Sequence, residues 1–118
     1  MDDPMTFTIE GGSLLKYKGL NNVMIPEGVT KIGAEAFMGC NLTRVIIPES
    51  VTEIGERAFK DWESLIGVTI PEGVTKIGSE AFAGCTGLTR VTIPKSVTEI
   101  GRRPFADCKN LFSVTIPK

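Results

Sequence analysis

Histidine is absent from this sequence. That removes the commonest general base, the Ser-His and Cys-His nucleophile pairs, and the commonest metal ligand. An excess of either charge is also absent: thirteen Lys and Arg stand against fourteen Asp and Glu, for a net charge of −1. Such a balance argues against nucleic acid as the main partner, since phosphate binding needs a basic face. It also gives no long-range attraction to an anionic membrane. No run approaches the roughly 18 apolar residues of a spanning helix. Cysteine is scarce and odd in number, at Cys40, Cys85 and Cys108. At least one thiol is therefore unpaired within the chain, which excludes a disulfide framework. The start, Met1-Asp-Asp-Pro-Met-Thr-Phe, lacks the basic-then-apolar plan of a signal peptide. Two readings stay open: the protein remains inside the cell, or this is a mature segment whose leader was removed.

What is present is a repeat. Val23-Met-Ile-Pro recurs as Val45-Ile-Ile-Pro, Val68-Thr-Ile-Pro, Val91-Thr-Ile-Pro and Val114-Thr-Ile-Pro, at intervals of 22, 23, 23 and 23 residues. The short interval is one missing residue, Gly39-Cys-Asn-Leu standing for the fuller Gly84-Cys-Thr-Gly-Leu. Each Ile-Pro is followed by Val29-Thr-Lys-Ile-Gly, Val51-Thr-Glu-Ile-Gly, Val74-Thr-Lys-Ile-Gly or Val97-Thr-Glu-Ile-Gly. Then come Ala36-Phe37, Ala58-Phe59, Ala81-Phe82 and Pro104-Phe105, one column of Cys40, Trp62, Cys85 and Cys108, and one of Leu42, Leu65, Leu88 and Leu111. Residues 1–6 read as a disordered start and 7–22 as an N-terminal cap. Residues 23–118 read as four repeats of 22–23 residues plus a partial fifth.

Alternation in Leu88-x-x-Val91-x-Ile93 places Val91 and Ile93 on one face of a short strand. Pro94, with no N–H, ends its pairing. Val97-Thr-Glu-Ile100 reads as a second extended segment across the coil. Gly101 and its equivalents fit a turn of positive φ, and Ala81-Phe82-Ala-Gly84 a single helical turn, which Pro104 supports because proline is tolerated in a first turn. One unit cannot bury its Val, Ile, Ala, Phe and Leu set alone, so neighbours must stack, with strands about 4.8 Å apart in a parallel sheet. The four phenylalanines are expected to form one buried ladder, and the cysteines to be buried free thiols. Cys85 and Cys108 fall on adjacent rungs, where a disulfide is geometrically conceivable. Trp62 reads as packed core.

Stacking turns equivalent positions into columns. Lys31, Glu53, Lys76 and Glu99 alternate in sign, as do Glu35, Arg57, Glu80 and Arg103. They read as solvated ladders that fix register, with weak individual pairs. Units one and three resemble each other, as do two and four. The strand face away from the core carries Asn22, Arg44, Gly67, Arg90 and Ser113 beside Met24, Ile46, Thr69, Thr92 and Thr115. Just beyond run Glu27, Glu49, Glu72, Lys95 and Lys118. The residues expected to bind a protein partner are Arg44, Ile46, Thr69, Arg90, Thr92, Glu49, Glu72 and Lys95. Asn41-Leu-Thr43 is a glycosylation sequon. The glycines form neither a P-loop nor a dinucleotide fingerprint, and the carboxylates do not converge. No enzyme activity, cofactor or metal is expected.

The unit Leu88-Thr-Arg-Val-Thr-Ile-Pro-Lys-Ser-Val-Thr-Glu-Ile-Gly-Arg-Arg-Pro-Phe-Ala-Asp-Cys resembles the BspA-like, or treponemal-type, leucine-rich repeats, over about residues 20–118. Phe7-Thr-Ile-Glu-Gly-Gly-Ser-Leu-Leu-Lys-Tyr-Lys-Gly is similar to the cap of such arrays in gut bacteria. The resemblance implies a β-rich repeat solenoid: a right-handed leucine-rich-repeat coil with a parallel sheet on the concave face and short helical turns elsewhere. It also implies a bacterial surface or secreted protein used for adhesion to host cells and matrix proteins such as fibronectin. The alternative is a structural scaffold or self-assembling array, excised or engineered, with no natural ligand. Because the chain stops one strand into a fifth unit, self-association through an open C-terminal edge is a further expectation.

Overall fold

The computed structural model describes residues 6–18, 23–40, 43–111 and 113–115. The chain opens with an antiparallel hairpin, β1 (Thr6–Glu10) and β2 (Ser13–Lys18). Its turn is Gly11-Gly12, both at positive φ (57° and 83°), as a two-residue hairpin loop requires. From there the chain winds as a coil. Strands β3 (Val23–Met24), β5 (Val45–Ile46), β7 (Gly67–Thr69), β9 (Arg90–Thr92) and β11 (Ser113–Thr115) come from the Val-x-Ile motif. Strands β4 (Lys31–Ile32), β6 (Glu53–Ile54), β8 (Lys76–Ile77) and β10 (Glu99–Ile100) come from Val-Thr-x-Ile.

The Val-Thr-x-Ile segments form the longer ladder: one six-stranded sheet in the order β1-β2-β4-β6-β8-β10, parallel from β2 onward. Strand β2 pairs with β4 through Ser13↔Lys31 and Leu14↔Ile32. Strand β2 thus lies along the edge of the first coil's Val-Thr-x-Ile segment. The Val-x-Ile strands form two parallel sheets, β3-β5 and β7-β9-β11. The break falls where β5, entered from the shortened turn, meets β7, entered from a full-length one.

Two expectations about the turns need correction. No helix forms among the described residues at Ala81–Gly84 or its equivalents. Every second N–H there bonds to the next coil: Arg57 to Ser79 O at 3.0 Å, Phe59 to Ala81 O at 2.8 Å, Asp61 to Ala83 O at 2.7 Å. The N–H groups between them bond three residues back, Ala58 to Gly55 O and Lys60 to Arg57 O. Only half the donors serve the turn, so no helix can propagate. The second correction concerns Gly33, Gly55, Gly78 and Gly101, none of which has positive φ. They are required by close approach: a Cβ on Gly55 would stand 2.7 Å from Ile32 O, and one on Gly78 2.6 Å from Glu56 N. The left-handed positions are instead Glu35, Arg57, Glu80 and Arg103 (φ 50–61°), and Gly39, Asp61, Gly84 and Asp107 (φ 61–75°).

The interior is a set of columns running through the coils. Val29, Val51 and Val74, then Ile32, Ile54 and Ile77, then Phe37, Phe59 and Phe82 are all buried. Successive phenylalanine rings lie 5.2, 5.1 and 5.6 Å apart with interplanar angles of 3°, 4° and 9°. The ladder is as expected, except that Phe105 at its end is only partly buried. Trp62 is fully buried against Phe37 and Phe59, at 5.9 and 5.5 Å. Its indole reaches the coil with the shortened turn, so the two irregularities of the repeat are neighbours. All three cysteines are free. The Cys85 and Cys108 thiols donate to the carbonyls of Phe59 and Phe82 at 3.2 and 3.1 Å. Burial pushes the Cys85 thiol up to about 12, and raises Cys40 and Cys108 as well.

Candidate binding surface

The alternation that buries Val45, Val68 and Val91 turns their strand neighbours outward. Ile46, Thr69 and Thr92 are exposed, as are Arg44 and Arg90. Thr69 and Thr92 are register partners, and Gly67 opposes Arg90. Met24 opposes Ile46 in β3–β5, and these two side chains are 64% and 51% exposed. The face thus grades from apolar on β3–β5 to hydroxylated on β7–β9, with Arg44 beside β5 and Arg90 on β9.

Glu49, Glu72 and Lys95 are exposed at the second position of Pro-x-x-Val turns, closed by Val51 N–H to Pro48 O at 3.2 Å and its equivalents. All eight residues read from the sequence therefore lie open to solvent. The structure joins Thr69 with Thr92 by direct strand pairing. It does not join Arg44 and Ile46 to Thr69 that way, because β5 and β7 lie in different sheets. Asn22 and Lys118, and the sequon residue Asn41, lie outside the described residues. So do the side chains of Ser113 and Thr115.

One apolar residue of this region escaped the sequence reading. Ile66, just before β7, is 56% exposed. Its N–H meets Thr43 O and its carbonyl accepts from Thr89 N–H at 3.0 Å. The signal was available: an isoleucine stands where the units on either side carry Thr43 and Thr89.

Across the coil, the charge columns form ion pairs. Lys31 meets Glu53 at 3.8 Å and Lys76 meets Glu99 at 3.4 Å. Arg57 bridges two coils, reaching Glu35 at 3.6 Å and donating from Nε to Glu80 Oε1 at 2.9 Å. That hydrogen bond, opposed by desolvation and helped by the charges of Lys60, Arg57 and Arg103, holds the Glu80 carboxyl below its ordinary range. An open groove of about 330 Å³ runs along this side past Gly55, Gly78, Gly101, Lys76 and Ile100. Among the described residues no three His, Cys, Asp or Glu side chains gather as a metal site. None of their helices is long and apolar enough to cross a membrane.

A family model described as BspA type leucine rich repeat region matches residues 8–118 in six copies. A solved leucine-rich repeat protein from Bacteroides capillosus ATCC 29799 is 33% identical with a TM-score of 0.83, over 100% of this chain and 97% of that one. The leucine rich repeat protein of T. pallidum is 27% identical with a TM-score of 0.75, over 99% and 72%. A leucine rich cell surface protein from Faecalibacterium prausnitzii A2-165 is 28% identical with a TM-score of 0.73 over 97% of this chain, which spans only 38% of its length. No curated protein sequence matches significantly.

Proposed function

Because the chain belongs to the BspA-type leucine-rich repeat family, we propose that it is a non-catalytic protein-binding module of a bacterial surface or secreted protein. Its partner docks on the outward face of the Val-x-Ile strands. The observation that carries this reading is the pair Met24 and Ile46, large apolar side chains on paired strands, both more than half exposed. A protein interface needs apolar anchors at its centre and polar groups at its rim. Arg44, Glu49, Glu72, Arg90 and Lys95 supply the rim, and Thr69 and Thr92 give flat, hydrogen-bonding surface between. Adhesion to matrix or cell-surface protein is the specific form proposed, in keeping with the surface location of the F. prausnitzii relative.

The test is binding to immobilised fibronectin and other matrix proteins. Ile46→Glu should lose binding at least tenfold with an unchanged melting temperature, since the side chain is exposed. Arg44→Glu with Arg90→Glu should weaken binding and reduce its salt dependence. Binding by the parent that survives all three substitutions would place the contact elsewhere.

A further inference from the structure

One column of charge breaks the pattern of the other two. Lys31, Glu53, Lys76 and Glu99 alternate in sign, as do Glu35, Arg57, Glu80 and Arg103, and both columns hold ion pairs between neighbouring coils. Glu27, Glu49 and Glu72 instead repeat one sign, until Lys95 ends the row. Their turns lie coil on coil: Gly28 N–H donates to Ser50 Oγ at 3.2 Å, and a Cβ on Gly73 would stand 3.5 Å from Glu49 O. All three carboxylates are exposed, and none makes an ion pair among the described residues. Like charges on adjacent rungs repel, so in the free protein this row works against the stack.

The row borders the apolar face. Met24 and Ile46 are exposed register partners, and exposed Ile66 follows in the next coil. Gly67, beside Ile66, leaves open space where a Cβ would meet nothing within 4 Å. On the far side of the patch stand Arg44 and Arg90, exposed and also without an ion pair among the described residues. Along the second coil the order is Arg44, Ile46, Glu49. Across the strands the face is therefore basic, then apolar, then acidic.

We infer that the occupant of this face is an amphipathic helix laid across the first three coils. Lys or Arg lines its edge facing Glu27, Glu49 and Glu72, apolar residues line its middle, and an acidic residue on its other edge faces Arg44. The inference rests on the partner surface proposed above and adds the partner's chemistry. Lysine and arginine suit this border because their stems cover apolar surface while their heads meet carboxylates. Rung spacing selects the helix. Two steps between parallel rungs cover about 9.6 Å. Two turns of a helix advance about 10.8 Å, whereas two same-face steps of an extended strand advance about 13 Å. A helix thus keeps its side chains in step with the columns over three coils, and a strand does not.

The test displays on phage a library of helices with a fixed leucine stripe and randomised edges, selected on the parent chain and counter-selected on Ile46→Glu. Recovered helices should carry Lys or Arg along one edge and Asp or Glu along the other. The double variant Glu49→Lys with Glu72→Lys, its folding checked by its melting temperature, should bind them on the order of tenfold more weakly. That loss should shrink in 1 M NaCl, and selection on the double variant should replace the basic edge with an acidic one. Ile46-dependent helices without an edge preference, or bound equally by the double variant, would overturn the inference while leaving the face a binding surface. Recovery of no Ile46-dependent helix would overturn it as well. The broader reading fails separately, if matrix-protein binding is indifferent to Ile46→Glu.

Discussion

Cutting Phe82 to alanine tests whether the coils are held by their aromatic column. The side chain has no solvent exposure, and the rings of Phe59 and Phe105 lie 5.1 and 5.6 Å on either side. Phe59 N–H is bonded to Ala81 O and Phe82 N–H to Pro104 O, both at 2.8 Å. The backbone rungs therefore keep their spacing, and the slot left by the ring cannot collapse. A large-to-small change at such a site costs about 3–5 kcal/mol, a large share of the ~5–15 kcal/mol of a typical domain. At roughly 4 °C per kcal/mol for a chain of this size, the melting temperature should fall by about 12–20 °C. Phe105→Ala removes a partly buried ring with one stacking neighbour, and should cost about half as much. Thermal denaturation by circular dichroism, on both variants and the parent, reads the difference. A Phe82→Ala protein melting within two degrees of the parent, or no more destabilised than Phe105→Ala, would refute the stacked-column reasoning.

Arg103 is held at φ 50° and makes no ion pair among the described residues, so Arg103→Gly should raise stability by up to about 1 kcal/mol. Arg103→Ala should not, and equal effects in a melting assay would show that the left-handed backbone is unstrained. Cys85 stays protonated in the fold up to about 12, against an ordinary 9.0. Its contribution is complete below pH 9 and lost as pH rises from there through 12; Cys85→Ala should therefore flatten the alkaline arm of a stability-against-pH curve. Glu80 shifts the other way, so its contribution holds above its ordinary 4.5 and fades as pH falls through the lower folded value. Glu80→Gln should make the acid arm shallower. Glu80→Lys should destabilise modestly between Arg57 and Arg103, in a manner relieved by salt; a salt-independent loss would point to another partner.

The frame of this fold was legible because the repeat imposes it. Once Val-x-Ile and Val-Thr-x-Ile recur in step, stacking assigns the inward columns without further information. The turn at Gly11-Gly12 carried a signal in its two consecutive glycines, though the sequence alone reads residues 7–22 only as a cap. The turns were harder. Gly55 looks like a residue wanted for its φ, yet the structure wants it for the space beside Ile32 O. Arg57 looks like a surface charge, yet its backbone sits at φ 56°. Both demands come from the adjacent coil, and a sequence read along one coil does not display them. The column of Gly39, Asp61, Gly84 and Asp107 did carry a signal, since glycine and aspartate are residues that tolerate the left-handed region. On the candidate surface, alternation accounts for the exposure of Ile46, Thr69, Thr92, Arg44 and Arg90, while Glu49, Glu72 and Lys95 are exposed in the turns that follow. Ile66 was missed because it precedes the strand, where alternation has no hold.

The phenylalanine column cannot by itself order the coils. Phenylalanine stacks at 5.2, 5.1 and 5.6 Å across the three successive contacts, so any coil would fit any other through that column. Discrimination lies at the periphery, and it takes two forms. From an odd coil to an even one, a serine straps the turn: Ser50 donates to Val29 O and accepts from Gly28 N–H, and Ser96 does the same with Val74 and Gly73. From an even coil to an odd one the serine is replaced by Gly73 at φ 108°, and the link passes to Arg57–Glu80 and to Asp61 over Gly84. A slip by one coil would exchange these sets, setting serine against serine and bringing like charges into contact. A slip by two coils would restore them. Apolar stacking thus supplies most of the cohesion, and weak polar contacts, each small beside a buried ring, decide which neighbour is the right one.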